Sequence, residues 1–247
     1  LSNLIKNKFL DKKTKIYLIG RKDYNLSDYL EEAKKEIKAD VDIELLSPYL
    51  NYIKMDFSNT EDYLKLKAII NNHDDDLDKM FYLAVPPTLF PVIAKGINAS
   101  GLITKGSDNE RIVFEKPFGE DLKTAQKINQ QLWQFFEEKQ IYRIDHYLGK
   151  EMIQNILIVR FANTIFNQAW NNKTVSSIKI IAKETEGVLR RGNYYDKVGA
   201  LKDMVQSHLL QMVSLVAMER PKSFASDDIK DEKVKVLKNL TIDKKDI

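Results

Sequence analysis

The sequence predicts a doubly wound α/β domain on a parallel sheet, followed by the beginning of an α+β domain with an antiparallel sheet. Two observations carry this. Up to about residue 145, short β-branched runs alternate with amphipathic stretches of helical period. That is the pattern of parallel strands joined by helical crossovers on both faces of a sheet. Beyond that point the alternation stops, giving way to strongly apolar helical stretches and one strictly alternating segment. The expected division is residues 1–145 and 146–247.

The elements follow in order. "LSNLIKNKFL" reads as the tail of a helix, and "TKIYLIG" (Thr14 to Gly20) as a buried strand ending at glycine. "SDYLEEAKKEIK" reads as a helix capped by Ser27. "NYIKMDF" is a second strand, "NTEDYLKLKAIINN" a helix, and "DKMFYLAV" a third strand stopped by Pro86 and Pro87. A helix entered through proline follows in "PTLFPVIAKGIN". "ERIVFEK" is a fourth strand ending at Pro117. In "DLKTAQKINQQLWQFFEEKQ", Leu122, Ala125, Ile128, Leu132 and Phe135 recur at helical spacing. Later, Leu148 to Phe161 is apolar on nearly all sides, predicting a buried helix. "VSSIKIIAKE" alternates, with Ile178, Ile180, Ala182 and Glu184 on one face. "DKVGALKDMVQSHLLQMVSLVAM" predicts one long helix.

Composition narrows the function. The 247 residues are 43% hydrophobic and 30% charged, the balance of a globular protein. A net charge of +3, with acidic and basic residues interleaved, gives no footprint for nucleic acid. No apolar run approaches a membrane span and no signal pattern opens the chain. Cysteine is absent, which excludes thiolate metal sites and fits a cytoplasmic location. Three scattered histidines form no metal-ligand spacing, so no metal is expected. The chain opens on Leu1 and closes on "KKDI", and a fragment at both ends is expected.

Ligands of parallel sheets bind at the carboxyl ends of the strands. Here those ends are Gly20-Arg21-Lys22, Ala84-Val85-Pro86-Pro87 and Glu115-Lys116-Pro117. A basic pair at Arg21 suits a nucleotide 2′-phosphate, or simply a solvated turn. No G-x-G-x-x-G occurs in the chain. Lys116 either snorkels from a turn or points into a cleft, aimed by the fixed φ of Pro117. His208 sits mid-helix beside a polar stripe of Asp203, Gln206, Ser207 and Gln211. It is either a satisfied core residue or a base. On an α-helix, five positions separate Asp203 from His208 by about 140°, so the two do not stack. Asp145 is the available carboxylate to orient His208. Glu184 either frays into solvent or accepts hydrogen bonds from a ligand's hydroxyls.

Four stretches together resemble the glucose-6-phosphate dehydrogenase family: "RIDHYLGKE", "IVFEKPFGEDLKTA", "MFYLAVPPTLF" and "KETEGVLRRGNYYDKVGALKDMVQSHLLQM". They occur in the family's order and span nearly the whole chain. The resemblance implies a Rossmann-like first domain. It also implies oxidation of glucose 6-phosphate at C1, with hydride passing to NADP, NAD being possible. By position it makes His208 the general base and Asp145 its orienting carboxylate. His146, Tyr147 and Lys150 would hold the phosphate, and Glu184 and Asp203 the sugar hydroxyls. Lys116 would bridge substrate and nicotinamide beside a cis-proline at Pro117. Arg21 would meet the 2′-phosphate, and Pro87 also falls at the cofactor. The parent protein is expected to be a cytoplasmic homo-oligomer, and this stretch alone to be inactive. The family's glycine-rich turn is missing, Ser207 stands where Asn is usual, and Lys202 where Arg is usual. Two alternatives are another oxidoreductase with an E-K-P lysine and a non-catalytic sugar-phosphate-binding protein.

Overall fold

The computed structural model describes residues 1–36, 42–71, 77–185, 187–188 and 192–241. It divides into two compact units. One comprises Leu1–Phe114 and Lys123–Tyr142, the other Glu115–Leu122 and Arg143–Ile247. The chain therefore crosses between units three times, and the short crossing segment Glu115–Leu122 carries Lys116 into the second unit.

In the first unit the elements are α1 (Ser2–Lys6), β1 (Ile16–Gly20), α2 (Leu26–Glu36), α3 (Ile43–Leu46), β2 (Leu50–Lys54), α4 (Thr60–Asn71), β3 (Lys79–Leu83), α5 (Phe90–Ala99), β4 (Glu110–Glu115), α6 (Leu122–Phe135) and β5 (Ile141–Ile144), the end residues of the last three reaching into the second unit. The expected parallel pairing is present. β1 pairs with β2 from Ile16↔Leu50 to Gly20↔Lys54, and β3 with β4 from Lys79↔Glu110 to Leu83↔Phe114. Among the described residues the strands form two hydrogen-bonded pieces, β1–β2 and β3–β4–β5. β4 is central in the second piece, and its Ile112, Val113 and Phe114 are all buried. A strand covered on both faces reads as an unbroken apolar run, as "IVF" does. The sequence pattern does not announce β5, because four residues between a helix and a turn show too little period to register.

The helices pack as their apolar stripes require. The edge of one ring meets the face of the other between Phe90 of α5 and Phe114 of β4, centroids 4.9 Å apart. Gly96 of α5 allows α4 to approach, since a β-carbon there would lie 2.3 Å from the Tyr63 ring. Buried Gln140 uses its whole amide. Nε2 donates to the Thr104 and Glu110 carbonyls, and Oε1 accepts from Gly106 and Glu137 N–H. A buried amide is tolerated when satisfied in this way. The cap of α2 is not Ser27: the helix starts at Leu26, and Asn25 Oδ1 accepts from Asp28 N–H at 2.8 Å. Asn caps as well as Ser does and lies where the chain enters the helix. The last two residues of the expected helix, Ile37 and Lys38, lie outside the described residues.

The second unit holds α7 (Glu151–Ala162), α8 (Thr164–Ala169), α9 (Gly192–Ala200), a π-helical stretch Leu201–Leu209, α10 (Leu210–Ala217) and α11 (Ser226–Asn239). Its core gathers Tyr147, Ile153, Phe161, Met212, Leu215 and Met218. Three expectations change here. α7 begins at Glu151 rather than Leu148, and it is not buried all round, since Met152, Ile158 and Val159 are exposed. The long helix is interrupted. Gly199 takes φ +67°, a left-handed conformation that glycine adopts without a β-carbon clash, and a wide π-turn follows. The antiparallel sheet is not seen among the described residues, where 175–184 pairs with no other strand. Alternation supplies one apolar face, but a ladder also needs a second backbone. Ile180 and Ala182 still pack on the core. Among the described residues no helix is long and apolar enough to cross a membrane.

Candidate active site

The second unit brings together most of the residues singled out in the sequence. The turn after β5 is organised by Asp145, whose Oδ1 accepts from Tyr147 N–H at 2.9 Å while its carbonyl accepts from Leu148 N–H. This aspartate-stabilised turn leads to Lys150 at the N-cap of α7. The π-helical stretch presents Asp203 and His208, and Lys116 comes from the segment that follows β4, at a cis bond to Pro117.

His208 is fully buried and both its ring nitrogens are engaged. Nδ1 lies 2.6 Å from Asp145 Oδ1, and Nε2 lies 2.6 Å from Lys116 Nζ. A carboxylate accepts and an ammonium donates, so the partners assign the proton to Nδ1 and the lone pair to Nε2. Burial pushes the His208 pKa down and the Lys116 ammonium pushes it further, against the pull of Asp145. The imidazole is thereby held neutral, with a basic nitrogen on the lysine side.

The 140° separation expected for Asp203 and His208 does not hold, because it assumed an α-helix. A π-helix bonds i to i+5, so residues five apart fall one above the other. Asp203 Oδ1 lies 3.0 Å from Lys116 Nζ, the same ammonium that meets His208. The carboxylate at Nδ1 is nonetheless Asp145, not Asp203.

Tyr147 stacks on His208, ring centroids 4.2 Å apart and 19° from parallel. Its hydroxyl donates to the Glu184 carboxylate. That bond, then burial, raises the Tyr147 pKa to about 12, and the same bond lowers that of Glu184. Lys150 Nζ lies 3.7 Å from the Tyr147 ring centroid, a cation–π contact. The exposed His146 ring sits edge-on to both Tyr147 and His208. The ligand atoms of Asp145, His146 and His208 fall within 4.8 Å of one another. Both nitrogens of His208 are committed to protein partners, so this is not a preformed cation site.

Arg21 and Pro87 lie in the first unit. Arg21 is exposed just past β1, and Pro87 opens a short 3₁₀ turn before α5. Around Arg21, Lys22 Nζ donates to the Tyr24 hydroxyl, and Tyr24, Tyr29 and Tyr52 form a ring cluster. Two residues escape the sequence reading. Lys233, on α11, has its pKa lowered by burial and feels the charge of Asp145. Its signal is that it interrupts the apolar face of Ile229 and Val236. Buried Arg160 donates to the Leu215 and Met218 carbonyls at the end of α10. Its position inside an apolar helix is the available sign.

The descriptions "Glucose-6-phosphate dehydrogenase, NAD binding domain" and "Glucose-6-phosphate dehydrogenase, C-terminal domain" match residues 1–155 and 157–247. A glucose-6-phosphate 1-dehydrogenase of Bacillus subtilis is 42% identical over 228 residues, covering 90% of this chain and 46% of the relative. One from Borreliella burgdorferi is 43% identical over 251 residues, covering 100% and 52%. A solved glucose-6-phosphate dehydrogenase in complex with its substrate glucose-6-phosphate superposes with a TM-score of 0.87 at 36% identity, covering 99% of this chain and 52% of that one. The Mycobacterium avium enzyme gives 0.86 at 33%, covering 98% and 54%. The chain thus spans about half the length of these relatives.

Proposed function

The chain belongs to the glucose-6-phosphate dehydrogenase family, and we propose that its parent protein oxidises glucose 6-phosphate at C1 to the lactone. The observation that carries this reading is the Asp145–His208–Lys116 line, with 2.6 Å at each ring nitrogen. Once the substrate hydroxyl replaces Lys116 on its lone pair, His208 Nε2 takes the C1 hydroxyl proton, and Asp145 fixes the tautomer and stabilises the imidazolium that forms. NADP, or NAD, would supply the hydride acceptor when bound. The exposed Arg21, with Lys22 beside it, fits an adenosine 2′-phosphate at the end of β1, and the family resemblance assigns Pro87, Lys116 and Pro117 to the cofactor as well. Lys116 serves substrate and nicotinamide alike.

His146, Tyr147 and Lys150 grip the sugar phosphate. Lys150 stands at the N-cap position of α7, where N–H groups and the helix dipole already favour an anion. Glu184 and Asp203 accept hydrogen bonds from sugar hydroxyls. The division into a cofactor domain, residues 1–145, and a substrate domain from 146 onward belongs to the same reading, as do a cytoplasmic location and a homo-oligomeric parent. The experiment is His208→Asn in the full-length parent, assayed with glucose 6-phosphate and NADP. A kcat loss of at least about 10²-fold is expected of a general base. A loss smaller than tenfold would remove His208 from that role.

A further inference from the structure

Lys202, next to Asp203, is tied at both its ends. Its Nζ donates to the Glu120 carbonyl at 2.9 Å, and its own carbonyl accepts from Ser207 Oγ at 3.0 Å. Glu120 lies four residues beyond Lys116, on the segment that carries the lysine to the base. The segment and the π-helical stretch therefore meet at Lys116 with Asp203 and His208, and again at Glu120 with Lys202. The Ser207 bond spans five residues, the π spacing, and so supports the register that stacks Asp203 and His208.

We propose that Lys202 is a positioning residue: by clamping the Glu120 end of the segment to the base helix, it holds Lys116 beside His208, within reach of the hydroxyl that Nε2 deprotonates. This rests on the functional reading above. Catalytic groups need placement to a fraction of an ångström, which one contact on a connecting segment supplies poorly. Without the clamp, the segment loses its tie at Glu120 to the base helix, and the mean distance of Lys116 from Nε2 grows.

His208 is faced by Lys116, by Asp145, His146 and Tyr147 of the turn after β5, and through them by Asp203, Glu184 and Lys233. Of these, Lys116 is the cation that the clamp controls. Its retreat lets the imidazole hold a proton to higher pH.

The test compares Lys202→Met, which keeps the stem and loses the donor, with Lys202→Arg, which keeps a donor. In the full-length parent, Lys202→Met is expected to lower kcat about five- to tenfold, the scale of one lost hydrogen bond. The acid limb of kcat/KM moves to higher pH, KM for glucose 6-phosphate stays within about threefold, and Lys202→Arg restores both kcat and limb. An NMR titration of the His208 ring in wild type and Lys202→Met reads the same shift without turnover. Lack of wild-type activity on glucose 6-phosphate would sink the functional reading, and the titration would still decide on Lys202. An unmoved His208 titration, or failure of arginine to restore the limb, overturns the proposal. If Lys202→Met does not fold, Ser207→Ala loosens the other tie; a smaller shift in the same direction supports the clamp, and none refutes it.

Discussion

Replacing Asp145 by asparagine changes one charge and almost no volume. The carboxylate accepts from His208 Nδ1 at 2.6 Å and from Tyr147 N–H at 2.9 Å. Once His208 is protonated, the two charge centres lie about 4 Å apart, and at an effective dielectric of about 20 their attraction is about 4 kcal/mol. An amide forfeits that attraction, which alone corresponds to about 10³ in rate at 1.36 kcal/mol per decade. It also offers an N–H₂ group to Nδ1, which favours the tautomer with the proton on Nε2, where the lone pair is needed. The analogous Asp→Asn change in a Ser-His-Asp triad costs about 10⁴ by that route. Steady-state kinetics of the full-length parent should therefore show kcat lower by about 10²–10⁴. KM for glucose 6-phosphate should change by less than about threefold, because the groups assigned to the phosphate are retained. A kcat within tenfold of wild type would refute the argument that Asp145 orients and stabilises the base.

Two further outcomes follow from the second unit. Arg160→Met leaves the Leu215 and Met218 carbonyls without their guanidinium donors, at a cost of about 2–4 kcal/mol, partly offset by no longer burying a charge. A urea midpoint equal to wild type would show that these carbonyls do not depend on Arg160. The His208 pKa lies below its unfolded value of about 6.5, so on acidification the unfolded chain binds that proton first. The stabilisation is complete above about pH 6.5 and is lost as pH falls through the folded value. Urea midpoints between about pH 8 and 5 should fall more steeply for wild type than for His208→Asn, and parallel curves would contradict the linkage.

Local pattern is enough to identify the first unit. Strand runs such as "IVF", proline stops and helical stripes set β1 to β4 and α4 to α6, because burial on two faces or one leaves its period in the residues themselves. The candidate site is legible mainly through a motif. "RIDHYLGK" and the placing of His208 supply the names, but no local rule distinguishes Glu184 as a frayed acid from Glu184 as the acceptor of the Tyr147 hydroxyl. Asp203 shows the limit most clearly. Its expected relation to His208 follows from an assumed rotation of about 100° per residue, and the π-helical register undoes that assumption.

By itself, then, the sequence determined the α/β alternation, the helix and strand content of the first unit and the residue types available for acid–base chemistry. Those depend on spacing along the chain, which the residues record directly. Only the tertiary structure decided that Lys116, Asp145 and His208 share one hydrogen-bonded line, that Asp203 grips the lysine rather than the base, and that 175–184 makes no ladder among the described residues. The contacts of that line join residues 63 to 92 positions apart. They depend on the helix register and packing of distant segments, which no short window contains.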